Sequence, residues 1–149
     1  MNKNKRRSRL WAALYILLLF QIIVLKKVPF WDLRWLQGWR FEGWDESHLE
    51  LFFTIDNFFY AVLHGNMSWT YFLLNIVGNV LLFVPLGYLL RRSTNGKIIA
   101  VLAIGVPVIL LFETVQLFSG LGVFDVDDIL LNVIGIVTGY LFAAGGGRR

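Results

Sequence analysis

Residues 98–118 read IIAVLAIGVPVILLFETVQLF, twenty-one positions carrying one formal charge, Glu113. A helix of about 20 predominantly apolar residues matches the thickness of a bilayer hydrocarbon core. Outward from this run, residues 70–90 (TYFLLNIVGNVLLFVPLGYLL) and 129–144 (ILLNVIGIVTGYLFAA) show the same character, as do residues 10–25 (LWAALYILLLFQIIVL), which are apolar except for Gln21. The pattern predicts an all-α fold, a four-helix transmembrane bundle in which residues 1–149 form a single membrane domain. Composition agrees, with 57% apolar and 16% aromatic residues and a mean hydropathy of +0.64, too oily for a soluble domain of 149 residues.

The first run follows Lys3, Lys5, Arg6, Arg7 and Arg9, as a signal peptide would. It ends in Lys26, Lys27 and Pro29, where a cleavage site needs small residues, which predicts an uncleaved span. Ten of the fourteen Lys and Arg residues then lie on the side of the N-terminus, in residues 3–9, Arg91, Arg92, Lys97, Arg148 and Arg149, and four lie in residues 26–69. By the positive-inside rule both termini are expected in the cytoplasm. Nine of the ten carboxylates fall in the opposite connections, and only Glu113 lies within a span. The net charge of +4 is thus explained by topology, and nucleic acid is not an expected partner. With no cysteine, disulfides and thiolate chemistry are excluded. His48 and His64 lack the HExxH spacing of a zinc site.

The long connection between the first two spans holds Trp31, Trp35, Trp39, Trp44 and Trp69, the first three at helical spacing, which suits a headgroup layer. Within it residues 49–63 are apolar apart from Glu50, Asp56 and a few polar positions. Too short and too charged to span, they predict an interfacial or re-entrant helix.

Polar side chains inside the spans gather toward one depth. Asn75 and Asn79 are i, i+4 neighbours on the second span, with Gly78 between them, and Glu113 and Gln116 are i, i+3 neighbours near the end of the third. Asp125, Asp127 and Asp128 follow, and at about 100° per residue Asp128, Asn132, Gly135 and Gly139 form one stripe that is polar and then small. Amides of this kind also serve as interhelical glue, and the GxxxG pattern of Gly135 and Gly139 predicts close packing. Pro85 and Gly87 are expected to bend the second span. The carboxylates must share protons, hold a cation or meet water. As hard oxygen donors, Glu113, Asp125 and Asp128 suit Mg²⁺ or Ca²⁺, while Asp125 is expected on the more solvated part of its connection.

The stretches NIVGNVLLFVPLG (residues 75–87), ETVQ (113–116), FDVDD (124–128) and NVIG (132–135) together resemble the VanZ-like family of small bacterial membrane proteins, named for a teicoplanin-resistance accessory protein. The resemblance covers about residues 70–142. It implies a cell-envelope role in a Gram-positive bacterium, including lowered susceptibility to a lipoglycopeptide such as teicoplanin, and brings no agreed biochemical activity. Its matching positions are Asn75, Gly78, Asn79, Phe83, Pro85, Gly87, Glu113, Gln116, Asp125, Asp128, Asn132 and Gly135. Many relatives carry an arginine where residues 117–123 here read LFSGLGV.

These readings predict an outward-facing binding pocket built from Asn75, Asn79, Glu113, Gln116, Asp125, Asp127, Asp128 and Asn132. Its expected partners are membrane lipids and the head group of a lipid-linked cell-wall precursor. An alternative is a membrane hydrolase or transferase in which a carboxylate-held metal, or Glu113 or Asp128 as a general base, activates water. A second alternative is a structural partner in a larger assembly, including a homo-oligomer. Gly78, Pro85, Gly87, Gly135 and Gly139 are assigned to packing.

Overall fold

The computed structural model describes residues 3–25, 32, 47–94 and 96–145. The tryptophan stripe at 31, 35 and 39, together with Trp44, lies outside the described residues. Five α-helices occur among the described residues: α1 (Lys3–Phe20), α2 (Phe53–Leu63), α3 (Trp69–Ser93), α4 (Ile98–Ser119) and α5 (Val126–Gly145). A π-helical turn, Gln21–Leu25, continues α1. With that turn, α1 joins α3, α4 and α5 as four helices long and apolar enough to cross a membrane, whereas α2 is an 11-residue apolar helix. The chain is a multi-pass membrane protein folded as a four-helix bundle.

Helix boundaries differ from the expected ones in ways that local chemistry explains. α1 begins at Lys3, not at the start of the apolar run, because Lys and Arg are good helix formers and the charged segment simply extends the span. α3 starts where Ser68 accepts a hydrogen bond from the Tyr71 amide at 3.2 Å. It then runs through Pro85 to Ser93 without interruption. Pro85 offers no N–H to the Leu81 carbonyl, and one residue on the Tyr15 hydroxyl donates to the Leu82 carbonyl at 2.9 Å, tying α1 to α3 at this weak point. α4 ends on Gly120 in the left-handed conformation (φ +65°).

α3 and α5 form the tightest pair. A Cβ added at Gly87 would collide with the Ile136 backbone, one at Gly135 with the Val80 carbonyl, and one at Gly139 with the Val84 carbonyl and the Tyr88 amide. Only glycine lets two backbones approach so closely. A Cβ at Gly78, by contrast, meets nothing within 4 Å among the described residues, so no described helix packs closely on that position. Around this seam Leu19, Phe83, Leu86, Ile109, Phe112 and Ile136 are buried. The opposite faces of the spans expose Leu14 and Leu17, Leu74 and Leu81, Ile99 and Leu111, and Leu141 and Phe142. That surface is the lipid contact of a bundle whose solvent is hydrocarbon.

The two ends of the bundle are chemically opposite. At one end Arg9 donates to the Ser93 carbonyl (3.4 Å), Arg91 lies 4.2 Å over the Tyr140 ring, and Arg92 donates to the Tyr88 hydroxyl (2.7 Å). The other end carries Asn75, Asn79, Gln116 and the three aspartates.

Candidate functional site

The site is assembled by the segment that docks α2 onto α5. His48 forms a single parallel bridge with Asp125: the His48 amide donates to the Phe124 carbonyl (2.9 Å), and the Val126 amide donates to the His48 carbonyl (3.1 Å). Four residues later the chain turns through Phe52, a non-glycine residue at φ +69°, a conformation that must be held by its surroundings. Asp127 holds it. One carboxylate oxygen accepts from the Phe52 amide, and the other accepts from the amides of Thr54 (2.9 Å) and Ile55 (3.1 Å). A carboxylate of α5 thus caps the N-terminus of α2, where first-turn amides lack helical partners and the dipole favours an anion.

Asp125 is also committed. Its Oδ1 accepts from the Asp127 amide at 2.8 Å, capping α5 itself. Its Oδ2 accepts from the Thr54 hydroxyl and lies 3.2 Å from His48 Nδ1, which is 2.9 Å from Thr54 Oγ1. The single hydroxyl proton of Thr54 goes to the carboxylate, so His48 completes this triangle with a proton on Nδ1, and in the neutral imidazole of that tautomer Nε2 is an acceptor. Asp125 is 6% exposed. The expectation of a solvated Asp125 is therefore overturned, because the bridge to His48 and the docking of α2 cover it. Behind it, Glu113 is 1% exposed and accepts from the Asp125 amide at 3.1 Å.

These contacts leave a cleft of about 440 Å³ between the π-turn, α2, α3, α4 and α5, within the range of small-molecule sites. Its apolar wall is Ile22, Ile23, Phe58, Ile76, Leu82 and Leu131. Its polar lining is His48, Thr54, Asn75, Asn79, Gln116, Asp125, Asp127 and Asp128. Six of the eight expected pocket residues are therefore brought together, Asn75, Asn79, Gln116, Asp125, Asp127 and Asp128. Glu113 sits behind the wall, and Asn132, 3% exposed and with an unpartnered buried Oδ1, lies deeper in the bundle; neither lines the cleft.

Within the cleft Asn79 Nδ2 donates to Asp128 Oδ1 at 2.6 Å, joining α3 to α5, and Asn75 Nδ2 donates to the Tyr71 carbonyl at 2.8 Å. Gln116 is 5% exposed. Its Nε2 reaches the Ile23 carbonyl at 3.4 Å in the π-turn, and its Oε1 is buried without a partner. π-turns recur where a helix must present backbone to a site. Among the described residues no group of three or more His, Cys, Asp or Glu side chains is disposed to hold a metal ion. Of the expected donors, Asp125 and Asp128 line the cleft and Glu113 does not; Glu113 turns its Oε2 to the Asp125 amide, and Asp128 turns its Oδ1 to Asn79.

A family model described as VanZ/LLP1 matches residues 12–145. The chain belongs to the VanZ/LLP1 family. The match extends beyond the stretches that carried the resemblance and takes in α1 from Ala12 onward, the π-turn and α2 as well as the last three spans. Comparison with curated proteins and with solved structures found no match. In this VanZ/LLP1 member, His48 and Thr54 are site residues that sequence reasoning did not single out. No local spacing signals them, since their partners lie more than seventy positions away.

Proposed function

We propose that this protein is a cell-envelope protein of the bacterial cytoplasmic membrane whose cleft binds the polar head of a membrane lipid or lipid-linked cell-wall precursor. One observation carries the reading: a cleft at one end of a membrane bundle pairs an apolar wall with a hydrogen-bonding floor of amides and aspartates. An amphipathic ligand satisfies both at once, its chain against Ile22, Phe58 and Leu82 and its head on the polar lining. The distribution of Lys and Arg favours an outward-facing cleft. The family name supports lowered teicoplanin susceptibility as the first phenotype to assay.

The test is native mass spectrometry of the protein in nanodiscs cut from its own membrane. A co-purified lipid or precursor, lost in Asp128→Asn, supports the reading, and bare protein with no retained lipid overturns it. Orientation is tested with single cysteines, since the chain has none of its own. An impermeant maleimide should label Asn66→Cys and spare Lys97→Cys in intact cells, and the reverse pattern would place the cleft inside.

A second reading is favoured by one specific arrangement. His48, oriented through Nδ1 by Asp125 and lining the cleft, is a better-placed general base than the buried Glu113, and it would serve a hydrolase or transferase acting on the same head group. If His48→Gln retains bound lipid but abolishes the phenotype, this reading gains over simple binding.

A further inference from the structure

The end of the bundle away from the cleft gathers cations where the sequence places no carboxylate side chain. All ten carboxylates fall within residues 32–56 and 113–128, and none occurs in residues 1–31, 57–112 or 129–149, the undescribed residues at this end included. Glu113, which shares α4 with this end, is sixteen positions from Lys97, roughly 24 Å along a helix. The first turns of α1 bring five cations, α3 brings Arg91 and Arg92, and Lys97 precedes α4. Charge alone would be the ordinary asymmetry of a membrane protein. The second observation is how the arginines are held. Arg9 donates to the Ser93 carbonyl and Arg92 to the Tyr88 hydroxyl. Half-buried Arg91 is held differently: its guanidinium lies 4.2 Å over the Tyr140 ring, and the Tyr140 hydroxyl donates to the Gly96 carbonyl at 3.0 Å. One tyrosine of α5 thus fixes both the arginine and the approach to α4. A contact with a ring engages the charge of a guanidinium and not its N–H donors, so Arg91 is positioned with its donor fork still able to clasp an oxyanion.

The third observation separates a lipid from a soluble anion. Leu10, Ile99, Leu141 and Phe142, each within two positions of Arg9, Lys97 or Tyr140, are exposed. Apolar side chains beside cations suit an amphipathic anion, its acyl chains on the first and its phosphate on the second. We propose that this end of the bundle is a binding surface for anionic phospholipid, with Arg91 on the Tyr140 ring as the phosphate contact and the surrounding cations as the attracting field. The surface is separate from the cleft and does not depend on what the cleft binds. A nucleic acid or an acidic peptide would meet the same charge and leave the apolar side chains uncovered.

The experiment uses the full chain in nanodiscs of phosphatidylcholine doped equally with phosphatidylglycerol and phosphatidylethanolamine, read by native mass spectrometry. Phosphatidylglycerol should be retained about tenfold over phosphatidylethanolamine, the scale of a hydrogen bond between charged partners. Arg91→Gln should remove most of that preference, and Arg91→Lys should keep part of it, since the charge stays and the planar fork is lost. Tyr140→Leu should act like Arg91→Gln, whereas Tyr140→Phe keeps the ring and should keep most of the preference. Lys3→Gln, at the far end of α1, should do much less, and His64→Gln, at the opposite end of the bundle, should do nothing. Equal retention of the two lipids overturns the proposal. So does a preference that Arg91→Gln leaves intact, which would put the anion elsewhere, the cleft included. Equal losses from Arg91→Gln and Lys3→Gln overturn it in favour of a diffuse field, and capture of a duplex oligonucleotide by the chain in phosphatidylcholine nanodiscs, lost in Arg91→Gln, would reassign the surface to nucleic acid. Thermal melting of each variant separates lost preference from lost folding, and an Arg91→Lys protein that folds and keeps the full preference also counts against the site.

Discussion

α3 and α5 meet in two different ways along their length. Toward the basic end their backbones touch at Gly87, Gly135 and Gly139, with no room for a methyl group. Toward the acidic end the same two helices are joined by a side-chain bond, Asn79 to Asp128, and the cleft opens beside it. One helix pair is thus a closed seam at one end and a wall of a site at the other. The difference lies in residue size: glycine brings backbones together in hydrocarbon, where dispersion is the main attraction, whereas Asn and Asp hold them apart at the length of two side chains.

The largest break in this comparison is expected from closing off the seam. Gly139→Leu must displace the Val84 and Tyr88 backbone, not the flexible end of a side chain, so the loss should be about 3 kcal/mol or more. Gly135→Leu should behave alike. Expression and thermal stability in detergent check it, and normal values for either variant would mean that the seam is not where the bundle gains its stability.

The next effect falls on the open end. Asp127→Ala removes the acceptor for three amides at the start of α2 and leaves the Phe52 amide, at positive φ, without its partner. The loss should be about 2 kcal/mol and local, since among the described helices α2 packs chiefly on α3 and α5. Hydrogen exchange is the measurement: the amides of Thr54 and Ile55 should exchange far faster while those of α5 stay protected. Uniform loss of protection would show that α2 and the bundle unfold as one unit.

Those two ends were unequally legible in the sequence. The four spans, a short helix within residues 49–63 and the GxxxG seam follow from run length and spacing, which are local properties. The convergence of Asn79, Gln116 and Asp128 on one depth also follows, because rise per residue fixes depth once spans are known. What could not be read is how the long connection returns. Asp127 looked like one more charge in a cluster, and its role as a cap for α2 exists only once residues 47–55 lie against residues 124–127. The same docking buries Asp125 and makes His48 and Thr54 its partners. Gly78 is the converse case: its position beside Asn79 suggested packing, but a Cβ there meets nothing within 4 Å among the described residues.

A smaller change in stability, with a larger change in function, is expected from Asp128→Asn. The substitution keeps the shape and a carbonyl acceptor for Asn79 Nδ2, so the α3 to α5 link at this end should survive with a loss within about 1 kcal/mol. It removes a charge from the cleft, and lipid retention and the envelope phenotype should both fall. Glu113→Gln keeps an acceptor for the Asp125 amide and should cost little in folding. Because Glu113 does not line the cleft, its effect on lipid retention should be weaker than that of Asp128→Asn. Equal loss of retention from the two variants would mean that the charge network behind Asp125 governs binding as much as the lining does.

The smallest effect sharpens the comparison most. Gly78 lies on α3 two residues before Val80, whose carbonyl abuts Gly135, yet a Cβ there meets nothing within 4 Å among the described residues. If the seam ends between these positions, Gly78→Ala should be stabilising by a few tenths of a kcal/mol up to about 1 kcal/mol, the ordinary gain of replacing glycine in a helix interior. Gly135→Ala, a substitution of the same size, should be clearly destabilising, because its methyl group would overlap the Val80 carbonyl. Opposite signs for one chemical change would locate the boundary between closed seam and open cleft to within a helical turn. A destabilising Gly78→Ala would instead show that another helix, or a second copy of the chain, closes on that face of α3 in the membrane.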